Sequence, residues 1–227
     1  KIENSQLIIL NGGGLEVWGN NIKKNIDIKN TIIVSAGEGL ITKKTTADGQ
    51  TITDPHVWLA PPLAQKMIDK ITEGFKQVDP QNKNYYETNA SLLKNKLSDL
   101  DTAYKQGLSR CQEKNIITSH TAFSYLATTY GFNQVSIAGL SPAAEPSSQQ
   151  LANIVDFSRK NKVSYIFFES LVSPKLAQTI ATEIGAQTLV LDPIEGLTDE
   201  KKLAGKNYLS IMQDNLINLQ IALKCTK

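Results

Sequence analysis

The chain has 227 residues and an ordinary globular composition, with 41% hydrophobic and 20% charged residues. Its 24 lysines and arginines against 22 acidic residues leave a formal net charge of +2. The lysines are scattered, which argues against the basic surface that a nucleic-acid partner requires. The apolar run at residues 165–168 is among the longest, far short of the ~18 residues that span a bilayer. We therefore expect a soluble protein of one large domain or two small lobes.

Short apolar runs rich in β-branched residues alternate with longer helical patterns along the chain. This alternation is typical of the α/β class, in which helices cover both faces of a parallel sheet. The predicted strands are residues 6–10, 31–35, 115–119, 134–138, 163–168 and 187–191. Helix boundaries are indicated by the Ser147/Gln150 capping box, by Ser173-Pro174 at a helix start, and by Gly131 and Gly185 at helix ends.

One segment departs from this alternation. Between about residues 82 and 110, apolar residues recur at helical spacing, which predicts a helix of roughly 28 residues and about 42 Å. Such a helix could link two lobes, although a solvent-facing helix on a single domain has the same periodicity. We predict an N-terminal lobe over residues 1–80, a linking helix over 81–112 and a C-terminal lobe over 113–227.

The predicted N-terminal lobe has two strong strands, whereas the C-terminal lobe has four. The N-terminal lobe is therefore either small or lacks its beginning. Its polar segment at residues 42–53, which contains Asp48-Gly49, is predicted to be flexible.

Cys111 and Cys225 are the only cysteines and belong to no C-x-x-C pattern, so a metal clip is not predicted. They are either inert core thiols or the two halves of one disulfide, which requires an oxidising compartment. The position of Cys225 near the end of the last helical run favours the disulfide, because a bond there would hold a terminus that otherwise frays.

The only two histidines, His56 and His120, both stand at loop entries. His120 directly follows a predicted strand, and Glu169 and Asp192 directly follow two others. Because the carboxyl ends of parallel strands share one edge of a sheet, these side chains are expected to converge there. Each residue alone is compatible with an ordinary cap, and Asp192-Pro193 is a common turn signal. Two imidazoles and a carboxylate would suit Zn²⁺, whereas Mn²⁺ would be favoured if carboxylates outnumbered imidazoles.

Several segments carry a resemblance to a known family: Asn11-Gly12 with Leu15-Glu16-Val17-Trp18, then residues 54–59, 118–123, 141–147 and 191–193. In order and spacing the whole chain resembles the zinc- and manganese-binding solute-binding proteins of bacterial ABC importers, the ZnuA- and TroA-like cluster A-I group. The resemblance implies two α/β lobes joined by one long rigid helix, a metal held in the cleft between the lobes, and no catalysis. It further implies delivery to the membrane subunits of an ABC permease, a monomer, and an extracytoplasmic location, in the periplasm or as a lipoprotein.

The resemblance also implies four metal ligands: a histidine early in the N-terminal lobe, and the residues matching His56, His120 and Asp192. We expect that the first ligand and the signal sequence precede this chain, which would then be truncated with an incomplete site. Glu169 and Glu145 match positions that neighbour the ligands. His120 favours Zn²⁺, because manganese-type members of the family have Glu at this position.

Two other classes of protein remain open. A metal-dependent hydrolase would use the same His, His and Asp side chains with an open coordination position and Glu169 as general base. A metal-free binding or adhesion module would need none of them. Residues 39–53 contain no histidine, so the histidine-rich capture loop of some zinc-type members is not predicted.

Overall fold

The computed structural model describes residues 2–19, 21, 30–47, 50–141 and 146–226. The chain divides into two compact units, Lys1–Asp99 and Leu100–Lys227, which we call the N-terminal and C-terminal units. Both contain parallel strands flanked by helices, so the predicted α/β class is confirmed. The lobe boundaries predicted from sequence stay a prediction.

The N-terminal unit is built on two parallel strands, β1 (Leu7–Leu10) and β2 (Ile32–Ser35), paired from Leu7↔Ile32 to Leu10↔Ser35. Helix α1 (Pro61–Val78) packs against both strands. Gly74 allows this close approach, because a Cβ atom there would lie 2.6 Å from Val34 Cγ2. The strands predicted at residues 6–10 and 31–35 are therefore confirmed.

An antiparallel hairpin occupies most of the segment that the sequence predicts to be flexible. Strand β3 (Lys44–Ala47) pairs with β4 (Gln50–Thr53) in the register Lys44↔Thr53 to Ala47↔Gln50. The hairpin itself was not predicted, because β-branched threonines suit a strand as well as a loop, and the flexibility of this segment stays a prediction. Asp-Gly between two such runs is in fact a hairpin signal. Asp48 and Gly49 themselves lie outside the described residues.

The predicted long helix is present as α2 (Lys83–Gly107), which follows a 3₁₀ turn at Pro80–Asn82. Its 25 residues span about 37 Å at ~1.5 Å per residue, and the boundary between the two units falls within it, after Asp99. Only the C-terminal half of the predicted apolar face is buried, since Leu93 is 42% exposed and Leu97 only 2%. Tyr104 is buried and donates its hydroxyl to Met212 O at 2.7 Å, and burial raises the pKa of this phenol well above its ordinary value.

The C-terminal unit contains a four-stranded parallel sheet in the order β6-β5-β7-β8. Its strands are β5 (Asn115–Thr118), β6 (Asn133–Ser136), β7 (Tyr165–Phe168) and β8 (Gln187–Val190). Its helices are α3 (Ser124–Tyr130), α4 (Ser148–Lys160), α5 (Lys175–Ile184), α6 (Asp199–Leu203) and α7 (Tyr208–Ala222). The four strands predicted here are confirmed, and no strand end differs from its predicted position by more than two residues.

The core of the C-terminal unit is aliphatic and lies where α4 and α5 cover the sheet. It contains Ile117, Ile137, Ile154, Ile166, Ala177 and Ile180. The Ser147/Gln150 capping box is confirmed, and Gly131 and Gly185 end α3 and α5 with φ of 77° and 71°. Helix α5 begins one residue later than predicted, with Pro174 as the preceding residue.

Because β5, β7 and β8 are successive neighbours and parallel, the residues that follow them gather at one edge of the sheet. Glu169 directly follows β7, and His120 and Asp192 are the second residues after β5 and β8. The strand order therefore accounts for the placement of the candidate site residues of this unit.

Cys111 and Cys225 form a disulfide with an S–S distance of 1.93 Å and a Cα–Cα distance of 3.8 Å. Backbone hydrogen bonds reinforce it, since Thr226 N–H donates to Arg110 O and Glu113 N–H donates to Leu223 O. The predicted disulfide is confirmed, and the alternative of two inert core thiols is wrong. Among the helices that the structure describes, none is both long and apolar enough to cross a lipid bilayer.

Candidate metal site

In the N-terminal unit, His56 lies in the loop between β4 and a 3₁₀ turn at Val57–Leu59. Asp54 holds it at two points: Asp54 Oδ1 accepts the His56 backbone N–H at 3.0 Å and lies 2.8 Å from His56 Nδ1. Both residues are buried. Because a carboxylate oxygen accepts here, Nδ1 carries the proton, and in the neutral imidazole Nε2 holds the lone pair that binds metals.

The motif at residues 11–16 supports this loop. Asn11 Nδ2 donates to Pro55 O at 3.0 Å, directly before His56. Glu16 holds Asn11 in turn, because its two carboxylate oxygens accept the backbone N–H groups of Asn11 at 2.6 Å and of Gly12 at 3.0 Å. From the sequence, Asn11 and Glu16 are noted only as part of the family resemblance. The structure connects both residues to the His56 loop.

In the C-terminal unit, His120 is fully buried beyond the end of β5. Its Nδ1 lies 2.5 Å from Oε1 of Glu169, the residue that follows β7. Its Nε2 lies 3.3 Å from Glu195 Oε1. The His120 carbonyl accepts Thr118 Oγ1–H and Gln134 Nε2–H, each at 2.8 Å. The ring and the backbone of His120 are thus both fixed.

Two opposing effects act on the pKa of His120. Burial disfavours the charged imidazolium and lowers this pKa, whereas hydrogen bonds and charge from Glu169 and Glu195 raise it. The carboxylates prevail and raise the pKa of His120 to about 9. Without a metal, His120 is therefore an imidazolium at neutral pH, and a metal at Nε2 has to replace a proton.

Asp192 follows β8 and is almost completely buried. Its Oδ2 accepts Ser170 Oγ–H at 2.8 Å and forms an ion pair with Lys201 of α6. Its Oδ1 accepts the Ile194 backbone N–H at 2.7 Å. The amide of Asn215 accepts from the Asp192 backbone N–H at 2.9 Å and donates to its carbonyl at 2.8 Å.

The structure therefore brings His120, Glu169 and Glu195 into direct contact, while the Asp192 carboxylate contacts Ser170, Lys201 and the Ile194 backbone. Glu195 was missed by the sequence interpretation, which considered only the first residue after each strand. Glu195 could have been considered from the sequence, because it lies only three residues after Asp192 in the turn that follows the same strand. Glu145, expected to neighbour the metal ligands, lies outside the described residues.

A family match identifies the class of protein. The family model described as zinc-uptake complex component A, periplasmic (ZnuA), matches residues 1–222, and the chain belongs to this family. The family is one of solute-binding proteins for zinc transport.

Individual relatives agree with this assignment. The chain is 38% identical over 233 residues to the high-affinity zinc uptake system protein ZnuA of Bacillus subtilis, a match that covers 98% of this chain and 73% of that protein. It is 47% identical over 163 residues to the zinc-binding lipoprotein AdcA of Streptococcus pneumoniae, covering 72% of this chain but only 32% of AdcA. The crystal structure of the Zn(II)-bound ZnuA-like domain of AdcA superposes with a TM-score of 0.82 at 37% identity, covering 98% of this chain and 81% of that domain.

Proposed function

We propose that this protein is an extracytoplasmic receptor that captures Zn²⁺ and delivers it to the membrane subunits of an ABC importer. The observation that carries the proposal is His120, a buried imidazole held at Nδ1 by Glu169 with a second carboxylate, Glu195, at Nε2. A histidine fixed by a carboxylate at one nitrogen and directed to a metal by the other is a recurrent zinc-binding arrangement. Membership of the ZnuA family supports a role of this arrangement in zinc uptake.

We infer that the zinc ligands are His56 Nε2, His120 Nε2 and a carboxylate. The geometry favours Glu195 as this carboxylate over Asp192, which is the residue that the family resemblance implies. Glu195 lies beside Nε2 and its side chain is 27% exposed, whereas the Asp192 side chain is 3% exposed and engages Lys201 and Ser170. Two imidazoles with one carboxylate suit Zn²⁺ better than Mn²⁺.

We propose that the protein binds zinc without turnover. The alternative of a metal-dependent hydrolase requires Glu169 to act as a general base on a metal-bound water. That carboxylate is almost completely buried and lies 2.5 Å from His120 Nδ1. Its contact suits it to orient the imidazole, and no relative described above is a hydrolase.

We propose a zinc ion and the permease subunits of an ABC importer as partners, and a monomeric receptor, as the family resemblance implies. The Cys111–Cys225 disulfide supports a location outside the cytoplasm, because structural disulfides persist in oxidising compartments. The family description as periplasmic and the lipoprotein relative support the same location.

A competition titration of the metal-free chain against a zinc chelator tests the proposal. We expect one zinc per chain, and at least a 100-fold weaker affinity in H120A, since removal of a ligand also leaves Glu169 and Glu195 facing each other without a cation. The matched control is D214N, which removes an exposed carboxylate paired with Lys206. A chain that binds no zinc, or H120A that binds as tightly as D214N, would contradict the proposal.

A further inference from the structure

The turn after β8 contains an unfavourable backbone conformation. Ile194 has a φ of 57°, which places a β-branched residue in the left-handed region. Such residues are genuine outliers there, and the conformation persists only where surrounding contacts impose it. The next residue, Glu195, directs its carboxylate to His120 Nε2. The strained residue thus immediately precedes the proposed zinc ligand.

Asp192 hydrogen-bonds to the backbone of this turn. Its Oδ1 accepts the Ile194 N–H at 2.7 Å and closes the turn of residues 192–194. Its Oδ2 is held from the other side by Ser170 Oγ–H at 2.8 Å and by the ion pair with Lys201. Lys201 Nζ also donates to Ser170 Oγ at 2.6 Å, so the three side chains form a closed triangle.

Lys201 gives the triangle its charge balance. The Asp192 side chain is 3% exposed, and a buried carboxylate without a partner cation is costly. Lys201 stands on α6, whose residues Asp199–Leu203 follow the turn by only a few positions. The ammonium therefore connects the turn to the helix that follows it.

We propose that Lys201 is a positioning residue for zinc: through Asp192 it holds the turn of residues 192–195 in the conformation in which Glu195 reaches His120. Lys201 and Asp192 thereby raise zinc affinity without binding the metal. This inference rests on the proposed function, because it concerns the same zinc site.

A different role for Lys201 predicts the opposite result. If Asp192 were itself a zinc ligand, Lys201 would compete with zinc for the same carboxylate, and removal of the ammonium would strengthen zinc binding. The sign of the effect on affinity therefore distinguishes a positioning lysine from a competing one.

The experiment measures zinc affinity by chelator competition for the wild type, K201M, K201R and the control K202M. Lys202 is the adjacent residue on the same helix, is 59% exposed and pairs only with the exposed Asp199 among its described ion pairs. We expect K201M to bind zinc roughly tenfold more weakly, a loss of about 1.4 kcal/mol. K201R and K202M should stay within about twofold of the wild type. Unchanged or tighter binding by K201M would overturn the proposal.

A suppressor variant separates positioning from general destabilisation. Glycine adopts positive φ without strain, so in I194G the turn depends less on Asp192. The loss caused by K201M should therefore be clearly smaller in the I194G background than in the wild type. Equal losses in both backgrounds would contradict the role assigned to Ile194.

S170A provides a milder perturbation of the same triangle and should weaken zinc binding in the same direction as K201M. It keeps the proposal testable if K201M does not fold, and unchanged zinc affinity in S170A would then contradict the proposal.

Failure of the proposed function can be distinguished from failure of this inference, because it would appear as absence of zinc binding in the wild type. Failure of this inference alone would leave wild-type binding intact and K201M equal to K202M.

Discussion

Glu195 Oε1 lies 3.3 Å from His120 Nε2, the ring nitrogen that we propose as a zinc ligand. The two neighbouring carboxylates raise the pKa of His120 to about 9, so a metal at this nitrogen has to displace a proton. Binding of zinc at neutral pH then exchanges a proton on His120 for a metal ion. This coupling makes zinc affinity depend on pH.

We expect zinc binding at pH 7.5 to release about one proton from His120, since this pH lies below the pKa of about 9. Affinity should fall by about tenfold for each pH unit below that pKa as a consequence of this group. Calorimetry in two buffers of different ionisation enthalpy measures the proton count. Zinc binding with equal enthalpy in both buffers would contradict a protonated His120.

The same pKa shift predicts how pH affects the metal-free fold. The pKa of His120 rises from 6.5 to about 9 on folding, so its contribution to stability is fully present below pH 6.5. This contribution is lost as the pH rises through about 9. Urea unfolding of metal-free protein at pH 6 and pH 9.5 should show a larger loss of stability at high pH in the wild type than in E169Q. Identical losses in the two proteins would exclude this linkage.

Asn11 is expected to support His56 without touching the metal. Its side chain donates to Pro55 O, so N11A removes one hydrogen bond from the loop that carries His56. A hydrogen bond contributes about 0.5–1.5 kcal/mol, which corresponds to a roughly two- to tenfold loss of zinc affinity. The control is N153A, on the exposed surface of α4, which should bind as the wild type does. Equal zinc affinities of N11A and N153A would contradict a supporting role of Asn11 at the zinc site.

The disulfide is expected to stabilise the fold rather than the zinc site. Cys111 and Cys225 are 114 residues apart, and closing so long a loop contributes up to ~4–5 kcal/mol by the chain-entropy model. C111S/C225S should therefore unfold at a clearly lower urea concentration, while its folded form binds zinc with nearly unchanged affinity. A urea midpoint equal to that of the wild type would show that the bond contributes little.

Much of the fold follows from local sequence signals. The apolar runs of β5, β7 and β8, the Ser147 capping box and the left-handed Gly131 and Gly185 are local features, and each is where the sequence predicts it. The β3–β4 hairpin was missed because threonine-rich strands have the composition of loops. Weighing the β-branched character of these threonines together with Asp48-Gly49 would have predicted it.

The site was predictable only in part. His120 and Glu169 stand one or two residues after the central parallel strands β5 and β7, and the pairing of these strands brings them together. Glu195 reaches His120 through a turn whose path depends on the positive φ of Ile194, which no sequence rule assigns to isoleucine. The ion pair between Asp192 and Lys201 also depends on how α6 follows that turn, so the contacts of Asp192 could not be anticipated.

The most direct test of the proposed zinc ligands is a crystal structure of the zinc-loaded protein with anomalous data collected at the zinc edge. We predict one zinc ion with His56 Nε2, His120 Nε2 and a Glu195 oxygen each at ~2.0–2.2 Å, and with Asp192 still paired to Lys201. A zinc ion bound by the Asp192 carboxylate with Lys201 displaced would contradict the proposed ligand set, and so would a zinc ion bound by neither histidine.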